Sequence, residues 1–129
     1  MAASSPKRFL VVDDHEAILA GTLQALAVAY PEAAFETANT AEAALAQLAA
    51  QRPDLLVTDL QIPADAQADA QVETGIDLLR QAMDTYAGLN ILVQSSHVRS
   101  LIRLKPNIDI HQAGFAIVDK SLPIAEMLE

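Results

Sequence analysis

At 129 residues the chain suits one domain, and a hydrophobic content of 52% is enough to bury a sizeable core. A formal net charge of −9 leaves no basic footprint for nucleic acid, and an anionic membrane would repel such a surface. Without cysteine there is neither a disulfide framework nor thiolate metal ligation; without a membrane-length apolar run or a signal-peptide core in MAASSPKR, the expectation is a soluble cytoplasmic protein.

Short apolar runs alternate with helical periodicity along the chain. Phe9-Leu10-Val11-Val12 is a β-prone run that stops at Asp13-Asp14. Ile18, Leu19, Thr22, Leu23, Leu26 and Ala27 then recur at helical spacing, and this helix is expected to end near Tyr30-Pro31. Residues 34–38 read as a second strand. Asn39-Thr40 offers a helix N-cap, and Ala43, Ala44, Leu45 and Leu48 supply the apolar face of the second helix as far as Arg52-Pro53. The third strand, 55–58, ends at Asp59.

Residues 64–71 are rich in Ala, Gln and Asp and have no apolar periodicity. A third helix is expected over 73–87 and a fourth strand over 89–94, ending at Ser95-Ser96. Residues 97–104 can form a short helix, which Pro106 interrupts. The fifth strand, 115–118, leads to Asp119-Lys120, and Pro123 can open a last helix at its first turn.

Strands that alternate with helical crossovers imply a parallel sheet covered on both faces. Ligands bind such sheets outside the carboxyl ends of the strands, near the topological switch point. Asp13, Asp14, Asp59, Ser95 and Lys120 all follow strands at that edge. Clustered carboxylates repel one another unless a cation intervenes, and oxygen-only ligation suits Mg²⁺. A lysine and a hydroxyl on the far side would complete a site able to hold a phosphoryl group on Asp59.

VVDDH at 11–15, TDLQIP at 58–63, Ser95-Ser96 and Lys120 together resemble the signature of bacterial two-component response regulator receiver domains, over nearly the whole chain. The Asp-Asp-His start followed by Gly21 is most similar to receivers of the subfamily with helix-turn-helix output. The resemblance implies a flavodoxin-like, doubly wound, five-stranded parallel sheet of order 2-1-3-4-5 with helices on both faces. It also implies that Asp59 is the phosphoacceptor. Asp14 would ligate Mg²⁺ directly, Asp13 mostly through water, and the Gln61 backbone carbonyl would complete the metal site. Ser95 would be the switch hydroxyl and Lys120 the phosphate counterion.

On this reading the phosphodonor is a sensor histidine kinase or phosphotransfer protein. The domain assists its own phosphorylation and dephosphorylation but turns over no separate substrate. One receiver domain is expected over 1–129, with 1–6 a flexible N-terminal segment. The last helix is expected to be truncated, with its remainder or an output domain beyond Glu129; homodimerisation is left open. No nucleic acid or membrane is expected to bind this chain.

The chain departs from the family pattern at several places. ADAQADAQVET separates Pro63 from Gly75, longer than usual, and reads either as a surface insertion or as a cover over Asp59. Ile117 stands where an aromatic switch residue is common, the connection from Gly114 to Lys120 is about one residue short, and Ser121 replaces the common proline. Arg99, Arg103 and Lys105 read as a solvated basic face or a docking surface. His15, His97 and His111 are too separated for a metal motif and are assigned to surface or loop roles. His97 lies two residues after Ser95, a position that in the family influences dephosphorylation.

Two other enzyme readings fail: no glycine-rich loop follows Val12, and Asp13 and Asp14 are adjacent rather than flanking one residue. The remaining alternative is a degenerate receiver that acts as a phosphorylation-independent interaction module.

Overall fold

The computed structural model describes residues 7–119. Its main sheet is built from β1 (Arg8–Val12), β2 (Ala34–Ala38), β3 (Leu55–Thr58), β4 (Asn90–Ser95) and β5 (Phe115–Asp119). These five strands are all parallel and lie in the order β2-β1-β3-β4-β5. The expected doubly wound sheet and its strand order are thus found. The helices are α1 (Glu16–Ala29), α2 (Ala41–Ala50), α3 (Val72–Thr85) and α4 (Lys105–Ile110).

Side-chain alternation along each strand divides the interior in two. Phe9 and Val11 of β1 and Val57 of β3 join Leu26 of α1 on one face, with Leu19, Leu23 and Leu92 packed around them. Leu10, Val12, Leu56, Ile91 and Val93 point the other way, into a larger core with Ala44 and Leu48 of α2 and Ile76, Leu79 and Ala82 of α3. Leu10 and Phe9 are neighbours in sequence yet sit in different cores, which is why the strands read as unbroken apolar runs rather than as alternating ones.

Local chemistry sets the ends of the elements. Thr40 caps α2, its hydroxyl accepting a hydrogen bond from Ala43 N at 3.0 Å. The α1 helix ends at Tyr30, immediately before Pro31. Pro106 does not merely interrupt helix: a 3₁₀ turn over Val98–Leu104 comes first, and Pro106 then lies in the first turn of α4. There its fixed φ helps and its missing N–H costs nothing.

The stretch after Asp59 also carries more order than its composition implies. Ile62–Pro63 and Ala70–Gln71 pair as a small antiparallel hairpin. Ala64 O accepts a hydrogen bond from Glu42 N at 3.0 Å, tying the hairpin to the start of α2. The final-helix expectation lies outside the described residues.

Candidate functional site

The chain leaves β1 for β2 on one side and returns to β3 on the other, so the loops after β1 and β3 diverge and leave a crevice between them. Asp13 and Asp14 follow β1, and Asp59 follows β3. Backbone bonds from Asp13 N to Ala38 O and from Asp59 N to Val12 O, both 3.1 Å, continue the ladder past the strand ends and fix where these residues start. Leu60 N donates to Asp59 Oδ1 at 2.7 Å and orients that carboxylate.

Asp13 and Asp59 are buried, at 2% and 4% exposure. One ligand atom from each of Asp13, Asp14, His15 and Asp59 lies within 4.8 Å of the others. At an effective dielectric of about 20, two carboxylates at that separation repel by about 3.5 kcal/mol, so three in one crevice favour a cation among them. The donor set fits Mg²⁺, a hard ion that takes oxygen ligands from few carboxylates. Asp14 Oδ1 adds to the fit, because it is sealed from solvent and accepts no hydrogen bond among the described residues.

His15, Ile18, Asp59, Gln61, Ser96 and His97 line an open cleft of about 370 Å³ above the carboxylates. None of these residues comes from 64–71, so the insertion does not form the wall of this cleft. The Gln61 side-chain Oε1 meets His97 Nε2 at 3.1 Å across the cleft. Ser95 ends β4 fully buried, and its Oγ accepts a hydrogen bond from His97 N at 2.8 Å. Ser95 pairs in register with Asp119, the residue before Lys120; Lys120 itself lies outside the described residues.

The histidines depart from what their sequence spacing implies. His15 is exposed over 59% of its side chain, but its Nδ1 lies 3.2 Å from Asp13 Oδ1 and 3.3 Å from Asp14 Oδ1. Its direct attachment to the Asp13-Asp14 pair was the signal available in the sequence. His111 Nε2 donates to Leu89 O at 2.7 Å and anchors the segment after α4 to the start of β4. The basic segment is largely neutralised: Arg103 forms a two-pronged ion pair with Glu73 of α3, its Nη2 at 2.6 Å, and Lys105 pairs with Asp109 at 3.1 Å. The Arg103 hydrogen bond holds the Glu73 carboxyl below its ordinary range.

Gly75 is a packing residue that sequence reasoning used only as a landmark. A Cβ there would lie 2.0 Å from Leu60 O and 2.4 Å from Leu60 Cα. Helix α3 therefore runs directly against the backbone that follows Asp59. On the far edge of the sheet, Ile117 is 47% exposed and shares an apolar depression with Ile102 and Ile108.

A five-stranded parallel sheet with an acidic crevice at its switch point defines a doubly wound α/β domain built to bind a charged ligand there. The sequence profile described as the response regulator receiver domain matches residues 9–125, and the chain belongs to that family. Receiver domains are regulatory signalling domains of two-component systems that bind Mg²⁺ at an acidic cluster.

Among solved structures, a CheY-like receiver domain protein from Methanospirillum hungatei is 26% identical, with a TM-score of 0.74 over 96% of this chain and 89% of that one. The phosphorylated cyanobacterial phytochrome response regulator RcpA is 22% identical, with a TM-score of 0.72 over 95% of this chain and 86% of that one. NtrX from Brucella abortus is 22% identical, with a TM-score of 0.70 over 96% of this chain; the match spans 25% of NtrX. No curated protein matches the chain. Among the described residues, no helix is long and apolar enough to cross a membrane.

Proposed function

We propose that Asp59 is the phosphoryl acceptor of this receiver domain and that its phosphorylation is the signalling event. The observation that carries the reading is the position of Asp59, at the end of the central strand, in one cluster with Asp13 and Asp14 and on the lining of an open cleft. A carboxylate oxygen of Asp59 attacks phosphorus on a phosphohistidine of a sensor kinase or phosphotransfer protein. The new O–P bond forms as the P–N bond breaks, and the electron pair returns to the imidazole nitrogen.

Because the transferred group carries spread negative charge, catalysis here is positioning and charge neutralisation. Mg²⁺ held by Asp13, Asp14, Asp59 and the Gln61 carbonyl would supply the positive charge that this acidic crevice lacks. The Leu60 N–H holds Asp59 Oδ1 so that the carboxylate keeps its aim. Ser95 is the switch hydroxyl in this reading: it gives up the hydrogen bond from His97 N and turns to donate to the phosphoryl group. Lys120, the next residue in sequence after β5, is the counterion in this reading.

The proposal extends to a single receiver domain over 1–129 working in the cytoplasm. Its acidic surface gives it no role of its own on nucleic acid or membrane. A helix-turn-helix output, or another domain or partner, would read the switch, with homodimerisation as one route. The multidomain size of NtrX supports an output beyond the receiver.

Incubation with Mg²⁺ and acetyl phosphate, read by intact mass, tests the core of the reading. Wild type should gain one phosphoryl group and Asp59→Asn none. No gain with acetyl phosphate or with a phosphorylated kinase would overturn it in favour of a phosphorylation-independent interaction module.

A further inference from the structure

We infer that His15 is a metal ligand of the acidic crevice and biases it toward first-row divalent ions that accept nitrogen, such as Co²⁺ and Mn²⁺, relative to a site with oxygen ligands alone. The inference rests on the reading of the crevice as a cation site and adds a fourth side chain to it.

The geometry carries the argument. In an octahedral ion with bonds of about 2.1 Å, neighbouring ligands stand about 3.0 Å apart and opposite ones about 4.2 Å. His15 Nδ1 stands 3.2 Å from Asp13 Oδ1 and 3.3 Å from Asp14 Oδ1, and all four residues of the cluster fall within 4.8 Å. The two His15 distances are close to those of adjacent ligands on one ion, while the widest spread of the cluster, up to 4.8 Å, needs the side chains to close by about 0.6 Å to reach the spacing of opposite ligands.

The backbone prepares the ring for this position. His15 is the N-cap residue of α1, yet its side chain makes no capping hydrogen bond to the helix. Its N–H donates to Asp13 Oδ1 at 2.9 Å and its carbonyl accepts from Leu19 N at 2.9 Å, which fixes the residue between the strand end and the helix. The ring turns toward the carboxylates instead of the helix. In the tautomer with the proton on Nε2, Nδ1 presents a lone pair to the ion.

The chemistry follows from the donor set. Mg²⁺ gains little from an imidazole and prefers oxygen and water, whereas Co²⁺ and Mn²⁺ accept nitrogen and oxygen together. The same contacts would also exist if His15 were only a hydrogen-bond partner that steadies the two aspartates. The two roles differ in what the metal feels.

The experiment uses the tag-free chain, so that no other histidine cluster competes, with each metal chloride alone. Calorimetric titration of Co²⁺ and Mg²⁺ into wild type, His15→Ala and His15→Asn should show Co²⁺ affinity falling at least about 10-fold in both variants, with Mg²⁺ affinity within about two-fold. Electron spin-echo modulation of the Mn²⁺-loaded chain should contain ¹⁴N coupling in wild type and lose it in both variants. Asp14→Ala should weaken every one of these ions.

Unchanged Co²⁺ affinity in both variants, ¹⁴N coupling that survives them, or Co²⁺ binding indifferent to Asp14→Ala would each overturn the inference. Those results would leave the Asp59 mass gain in Mg²⁺ standing. Loss of that gain in wild type would instead overturn the reading on which the inference rests.

Discussion

Gly75→Ala turns the contact between α3 and the phosphoacceptor loop into a measurable quantity. In an isolated helix the change is favourable, because alanine is better than glycine by about 1 kcal/mol in a helix interior. Here the added Cβ lands 2.0 Å from Leu60 O, and real Cβ contacts essentially never fall below 3.0 Å. A gap of about 1 Å must open between a helix and a loop that are both anchored: Ile76 and Leu79 hold the helix in the core, and Leu60 is itself fully buried. Overpacking of this kind costs about 1–3 kcal/mol, and the obstacle is backbone rather than a flexible side-chain tip. The expected outcome is net destabilisation by about 1–3 kcal/mol in urea unfolding, despite the propensity gain. Leu60 N also holds Asp59 Oδ1, so the phosphorylation rate by acetyl phosphate should fall together with stability. A variant stabilised by about 1 kcal/mol that is phosphorylated at the wild-type rate would refute the reasoning, since propensity alone would then have decided the result.

Three further outcomes follow from named contacts. Thr40→Ala removes the cap of α2 and should cost about 0.5–2 kcal/mol in urea unfolding, with Thr40→Ser retaining most of the stability. The Glu73 carboxyl titrates below its ordinary value near 4.5 because Arg103 bonds the ionised form. The stabilisation linked to that depressed pKa is present above the ordinary value and lost as pH falls through the folded one; Arg103→Ala should raise the Glu73 midpoint, as read by carbon-detected NMR titration. Shortening the hairpin by removing 65–69 should leave the Asp59 phosphorylation rate within about two-fold, since loop length costs little and none of these residues lines the cleft. A rate that rises steeply would mean the insertion does screen Asp59.

The sheet was legible in the sequence because every strand but the edge strand β2, whose Glu36 and Thr37 break the pattern, is a short, largely apolar run closed by a polar strand end. The runs at residues 9–12 and 55–58 keep one register with β1 and β3, because a parallel strand buried on both faces has no room for polar alternation. The helix limits at Pro31 and Thr40 were equally local, set by proline geometry and by a capping hydroxyl. The hairpin was not legible. Ile62–Pro63 and Ala70–Gln71 make a two-residue ladder whose partner is set by the return of the chain to α3 and by the Glu42 N–H, neither of which leaves a periodic trace.

Sequence order alone therefore determined the strand ends at which Asp13, Asp14, Asp59 and Ser95 would be found, since each sits at the last residue of a buried strand or within two residues beyond it. Tertiary structure decided how those ends face one another. The pairing of β1 with β3 brings the carboxylates within 4.8 Å, the divergence of the loops that follow leaves the crevice open around them, and the turn into α1 swings the His15 ring among them. Spacing along a chain measures how far apart two residues are when the chain is extended. The distances that matter to chemistry are set across strands and between helix and loop, as they are where Gly75 lets α3 lie against Leu60.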